Sequence, residues 1–138
     1  TPRASVVGEV FPSNEFYDYN AKYVDDACRF QIPADLPEEL TRAIQNTAIR
    51  AFLAVECAGM ARVDFLLQAD SDRFYLSELN TIPGFTSISM YPKLWQASGL
   101  SYSELLDELI RLALERQARR QQLQTSFQPD QKWYRKKT

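Results

Sequence analysis

Two short runs carry the clearest chemical signal in this 138-residue chain. They are Arg62-Val63-Asp64 and Glu78-Leu79-Asn80. Each lies in an apolar, β-prone segment: Ala61–Ala69 and Arg73–Asn80 read as strands, with Asp70-Ser71-Asp72 between them as a turn. A three-residue turn centred on Ser71 sets Asp64 opposite Glu78, Arg62 opposite Asn80 and Leu66 opposite Leu76. Side chains alternate along a strand, so all six are expected on one face. Opposed carboxylates in a hairpin repel. A protonated carboxyl, neutralisation of both by Arg62, or a divalent cation relieves that repulsion. Asp, Glu and Asn offer only oxygen, which suits Mg²⁺ or Mn²⁺ rather than zinc. Mg²⁺ takes few protein carboxylates and completes its shell with phosphates and water, so a Mg-nucleotide site is one reading. A solvated face with incidental charge pairs is the other. Leu66 and Leu76 on the same face argue for a partly covered one.

Composition removes several alternatives. There is no histidine, so Ser-His-Asp and Cys-His catalysis are excluded, and the commonest zinc ligand is absent. The four glycines, Gly8, Gly59, Gly84 and Gly99, are too scattered for a G-x-G-x-x-G turn or a Walker-type loop. No apolar run is long enough for a membrane span. Cys28 and Cys57 are too few for a disulfide framework, and a reduced, cytoplasmic setting is the simpler expectation. Residues 1–110 hold eight basic and sixteen acidic groups, whereas residues 111–138 hold eight basic and two acidic. An acidic body therefore precedes a basic tail.

The elements that must position the hairpin are legible in outline. Ser5–Phe11 is apolar and β-branched, a strand, and residues 24–32 read as a returning strand. Pro12–Tyr23, with its aromatics and one lysine, reads as a long loop of the kind that often carries function. A helix opens at Asp35 and Pro37, with Glu38 and Glu39 at its positive end. Leu40, Ile44, Ala48, Ala51, Phe52 and Val55 form its buried face, and Gly59 is the expected stop. Thr81–Pro92 is irregular, with a turn at Pro83-Gly84, and a short helix follows to Ala97. The last helix opens on the capping box Ser101-x-x-Glu104 and buries Leu105, Leu106, Leu109, Ile110, Ala113 and Leu114. Residues 1–118 are expected as the folded part and 119–138 as a basic, flexible tail. The fold class is α+β, a mainly antiparallel sheet flanked by helices.

Three stretches together resemble a known family. R-V-D-F at Arg62–Phe65, E-L-N-T-I-P-G-F-T-S-I-S-M-Y-P-K-L-W at Glu78–Trp95 and F-Y-D-Y-N-A-K-Y at Phe16–Tyr23 are similar to the carboxy-terminal part of D-alanine–D-alanine ligases, which are ATP-grasp enzymes. The likeness runs from about Gly8 to Arg116. It implies ATP-dependent joining of two D-alanines through an acyl phosphate, for peptidoglycan synthesis. It implies Asp64, Glu78 and Asn80 as ligands of two Mg²⁺ (or Mn²⁺) ions, with Glu78 bridging. Arg62 matches the arginine that steadies the transferring phosphate and the tetrahedral intermediate. Lys22 matches a loop lysine on the γ-phosphate, and Tyr23 a loop tyrosine closing over the first D-alanine. The Gly84 N–H matches an oxyanion donor. Ser89 and the Met90 backbone match the group holding the second D-alanine's carboxylate. Tyr23 and the lack of histidine point to a dipeptide rather than a depsipeptide product.

The same resemblance implies an amino-terminal substrate domain and an adenine-binding subdomain that are not recognisable in the chain. It also implies a homodimer built through the amino-terminal part. The expectation is therefore a fragment, inactive by itself, with no nucleic-acid partner and no membrane span. Another ATP-grasp carboxylate–amine ligase, or a non-catalytic module whose basic tail binds anions, are the competing readings.

Overall fold

The computed structural model describes residues 1–11, 29–69, 71–86 and 88–123. The expected loop Phe16–Tyr23, with Lys22 and Tyr23, and the tail beyond 123 lie outside the described residues. Among these residues the order is β1 (Glu9–Phe11), β2 (Arg29–Gln31), α1 (Glu38–Ala54), β3 (Arg62–Leu67), β4 (Phe74–Asn80), α2 (Met90–Ala97) and α3 (Tyr102–Gln121). Two antiparallel pairs, β1–β2 and β3–β4, and three helices make the expected α+β architecture. Helix α1 packs on β3 and β4, and α2 packs on α3. No helix among the described residues is long and apolar enough to cross a membrane.

The amino-terminal segment pairs as a strand only at Glu9–Phe11, shorter than the expected Ser5–Phe11. Its first residues spend their backbone groups on other elements. The Ser5 carbonyl accepts from Gln45 Nε2 at 2.8 Å, the Val6 N–H donates to Ser98 Oγ at 2.8 Å, and the Val7 carbonyl accepts from the Ala34 N–H at 2.8 Å. This strap links α1 to the end of α2. Gly8 completes it, because a Cβ there would sit 2.7 Å from Leu94 Cδ2 and 3.1 Å from Met90 Cε.

Helix α1 ends at Ala54 rather than reaching Gly59. The Glu56 N–H donates to the Leu53 carbonyl and the Cys57 N–H to the Phe52 carbonyl, both at 3.0 Å. These two bonds form a Schellman motif, with Glu56 in the left-handed position at φ 52°. A helix stops wherever that motif closes, and here a glutamate closes it. Val55, expected on the buried face, caps the helix and is 58% exposed. A left-handed L-residue costs about 1–2 kcal/mol, partly offset on replacement by glycine's greater unfolded-state freedom. Glu56→Gly is expected to stabilise the chain by about 0.5–1 kcal/mol, read as a higher urea midpoint with an unchanged slope.

Leu40 and Ile44 of α1, Tyr91 of α2 and Leu105 of α3 are buried and form the apolar core among the described residues. The capping box of α3 is present: Ser101 Oγ accepts from the Glu104 N–H, and the Glu104 carboxylate accepts from the Ser101 N–H at 2.9 Å. The inward face of α3 runs through Leu105, Leu109 and Leu112. Leu106, Ile110 and Leu114, expected inside, form an exposed stripe instead. The helix continues to Gln121, so Arg119 and Arg120 belong to it and the expected boundary at 118 falls inside its last turn.

Candidate active site

The hairpin positions the charged groups. In the β3–β4 pairing Arg62 faces Asn80, and Asp64 faces Glu78, as expected, although the turn itself is not the three-residue turn centred on Ser71: Leu67 faces Phe74 and the Gln68 N–H donates to the Arg73 carbonyl. Beyond Asp64 the register shifts: Phe65 faces Leu76, Leu66 faces Tyr75, and Ser77 is left without a partner. This bulge separates Leu66 from Leu76, which are 64% and 49% exposed. The six side chains thus do not share one face, and the two leucines do not cover the charges. The Phe65 and Phe74 rings pack edge-on at 5.7 Å beyond the bulge. The polar group at the open end is unaffected, because its pairing lies before the shift.

Arg62 joins the two carboxylates. Its Nε donates to Asp64 Oδ1 at 2.8 Å, and its Nη2 donates to Asp64 Oδ2 at 2.7 Å and to Glu78 Oε1 at 3.0 Å. Of the three ways to relieve the opposed carboxylates, the guanidinium is the one seen. The group is only partly wet, with the Arg62 side chain 26% and the Asp64 side chain 35% exposed. Asp64 raises the Arg62 pKa, chiefly through its hydrogen bonds; burial opposes this, and the Glu78 charge adds to it. A guanidinium is charged at physiological pH in any case, and this setting favours that form further.

The donor set also fits a hard cation. No three His, Cys, Asp or Glu side chains converge as a metal cluster among the described residues. Two carboxylates with an amide oxygen match the sparse protein ligation of Mg²⁺, which leaves room for phosphate oxygens. Asn80 Oδ1 accepts the Ile82 N–H at 3.0 Å, which orients the amide oxygen and leaves it one lone pair.

The segment after β4 supplies the second half. Ser89 precedes α2 as its N-cap, yet its side chain makes no capping bond. The Ser89 Oγ instead accepts the Thr86 N–H at 3.0 Å and contacts Thr86 Oγ1 at 2.9 Å, while the Ser89 N–H donates to the Thr86 carbonyl at 3.0 Å. A Cβ on Gly84 would lie 2.9 Å from Ser89 Oγ. The first-turn amides of α2, starting at Met90, have no partner within the helix and favour an anion. Tyr102 of α3 anchors the same segment by donating its hydroxyl to the Phe85 carbonyl at 3.1 Å, with the Phe85 ring against Tyr91 and Tyr102.

A broad open concavity of about 1230 Å³ runs along much of the described structure, and Arg62, Asp64, Glu78, Gly84, Ser89 and Met90 are among the many residues that border it. Asn80 stands beside Arg62 across the hairpin but does not line it. The bond from Thr86 to Ser89 escaped the sequence reading. The T-x-x-S spacing was the available signal, and it resembles an ordinary loop hydroxyl pair.

Comparison with known proteins decides the family. The family described as "D-ala D-ala ligase C-terminus" matches residues 1–111. The chain belongs to that family. A D-alanine–D-alanine ligase of Acetivibrio thermocellus is 56% identical over 115 residues, which cover 83% of the chain and 31% of the relative. The solved D-alanine–D-alanine ligase of Coxiella burnetii superposes with a TM-score of 0.74 at 44% identity, over 87% of the chain and 30% of that structure. The Bacillus anthracis ligase complexed with ATP gives 0.68 at 33% identity, over 84% of the chain and 37% of its own. The chain thus spans about a third of the length of the ligases it matches. The family and α+β fold expected from the motifs are borne out.

Proposed function

We propose that this chain is the phosphate-handling and second-substrate part of an ATP-dependent D-alanine–D-alanine ligase. The observation that carries the reading is the hydrogen-bonded Arg62–Asp64–Glu78 cluster at the open end of the hairpin. Family membership and the ATP complex of the Bacillus anthracis relative support it.

In this reading a D-alanine carboxylate oxygen attacks the γ-phosphorus of ATP, and the bond to ADP breaks. The amine of a second D-alanine then attacks the acyl carbon, phosphate leaves with the carboxylate oxygen, and the amine loses a proton. Arg62 offers a fixed donor fork to the transferring phosphoryl oxygens and to the tetrahedral intermediate. Asp64, Glu78 and Asn80 would hold Mg²⁺ or Mn²⁺. When bound, such ions offset charge on phosphate oxygens. In the same reading the Gly84 N–H donates to the developing oxyanion. Ser89 Oγ and the Met90 N–H receive the carboxylate of the second amino acid. Lys22 and Tyr23 complete the reading as γ-phosphate contact and lid over the first D-alanine. The reaction needs neither histidine nor a glycine-rich phosphate loop.

The test is a chimera in which residues 1–116 replace the matching segment of the Acetivibrio thermocellus ligase. With ATP and Mg²⁺ it is expected to make D-alanyl-D-alanine, and to turn over D-serine or D-lactate as second substrate at less than about a tenth of that efficiency, as expected when polar groups must be matched. D-Serine or D-lactate as the preferred second substrate rejects the D-alanine assignment. A folded chimera without ATP-dependent ligation rejects the function.

A further inference from the structure

The Ser89 hydroxyl has one proton and two acceptor positions. The Thr86 N–H, at 3.0 Å, fills one acceptor position. The contact at 2.9 Å between the Ser89 and Thr86 hydroxyls runs in either direction. If Ser89 donates, its proton is consumed and a substrate carboxylate faces only lone pairs. If Thr86 donates, both acceptor positions of Ser89 are filled and its proton is left for the groove. The second arrangement alone suits an anion. It also polarises Ser89, because a hydroxyl that accepts two bonds donates a stronger one.

Among the described residues, Ser89 Oγ makes hydrogen bonds only with Thr86. The side chain does not cap α2. The third helical residue, Pro92, has no N–H to offer. Gly84 leaves the space beside the hydroxyl open, since a Cβ there would stand 2.9 Å from it. The turn closed by the Ser89 N–H on the Thr86 carbonyl makes the two residues one unit.

We infer that Thr86 is a positioning residue: its hydroxyl donates to Ser89 Oγ and so commits the Ser89 proton to the carboxylate of the second, amine-donating amino acid. The inference rests on the reading of Ser89 given under the proposed function. It makes specificity for a carboxylate-bearing acceptor depend on a residue that does not itself touch the substrate.

Steady-state kinetics of the chimera test it, with the two D-alanine KM values resolved from the biphasic concentration dependence. Thr86→Val keeps shape and backbone N–H but loses the donor. It is expected to raise the acceptor-site KM about threefold, since Ser89 keeps its bond to the carboxylate but loses the donor that fixes and polarises it, a fraction of one hydrogen bond. The KM for ATP, the donor-site KM and kcat stay within about twofold on the same argument. Thr86→Ser restores the acceptor-site KM. In a Ser89→Ala background Thr86→Val adds less than about twofold, as required if it acts through Ser89. If Ser89→Ala raises the acceptor-site KM but Thr86→Val does not, the positioning role is overturned while the Ser89 reading stands. If Ser89→Ala leaves that KM unchanged, both fall. A Thr86→Val variant that lowers kcat and the thermal midpoint together, without rescue by Thr86→Ser, is a structural lesion and also overturns it.

Discussion

Arg62→Lys in the chimera is expected to lower kcat/KM by about 10²–10³-fold, the loss found when a single transition-state donor is removed. Charge is conserved, so the loss isolates geometry. Arg62 makes a fork with Asp64 and extends the same Nη2 to Glu78. An ammonium is a point charge that cannot keep a planar fork on one carboxylate while reaching a second. A lysine is therefore free to collapse onto one partner, leaving Asp64 and Glu78 to repel across the hairpin. The arm proposed to reach the phosphoryl oxygens is lost as well. The check is kcat/KM alongside a thermal melt: the activity loss is expected with a small change in melting temperature, because the cluster is only partly buried and exposed ion pairs are worth little to stability. Activity within about threefold of the parent would show that a positive charge suffices and that the fork is unused.

Glu78→Gln is expected to cost more, about three orders of magnitude in kcat, because several kcal/mol of electrostatic stabilisation go with the charge. The amide keeps the size and one oxygen, so packing is preserved. Glu78 is exposed, its side chain 53% accessible, and its partner Arg62 retains Asp64. Folding should thus be unaffected. The decisive companion is the apparent Mg²⁺ requirement, measured as rate against free metal. Glu78→Gln is expected to move half-saturation upward by at least about tenfold, since one carboxylate of the sparse ligand set is gone. A reduced rate at unchanged metal dependence would assign Glu78 a role only in orienting Arg62.

How much of this was readable beforehand varies along the chain for physical reasons. The pairing of Arg62 with Asn80 and of Asp64 with Glu78 was reached through two offsetting departures: at the turn Leu67 faces Phe74 and the Gln68 N–H donates to the Arg73 carbonyl, one position off a three-residue turn centred on Ser71, and the bulge restores the expected register at the open end. The pairing of Leu66 with Leu76 did not survive, since the bulge at Ser77 lies between the turn and the site and strand alternation carries no mark of a single extra residue. The stop of α1 was misplaced for a similar reason. Glycine is the usual left-handed residue, but Glu56 takes that conformation where two backbone bonds close the helix. The apolar stripe of α3 was visible in the sequence, but periodicity marks apolar positions without saying which of them the rest of the chain covers. Leu105 is buried at 2% exposure, while Leu114, nine residues on, is 67% exposed.

The roles of Gly84 and Ser89 came from motif likeness rather than residue type, since a turn glycine and a loop serine are common. The structure adds the tie from Thr86 to Ser89 Oγ and the close approach of Gly84 to the same oxygen. Those contacts depend on the backbone path from Ile82 to Met90, which propensities do not specify. The capping box of α3 was legible because its signal is local: four residues contain both partners.

The most direct measurement follows an oxygen atom. The chimera is supplied with ATP, Mg²⁺ and D-alanine labelled with ¹⁸O in both carboxylate positions, and the released phosphate is analysed by mass. If the groove activates a carboxylate by phosphoryl transfer, each dipeptide formed yields one phosphate carrying one ¹⁸O, and the same reaction in ¹⁸O-water with unlabelled D-alanine leaves that phosphate unlabelled. Dipeptide formed with unlabelled phosphate would contradict the acyl-phosphate route, and with it the assignment of Arg62, Asp64 and Glu78 to the transferring phosphoryl group.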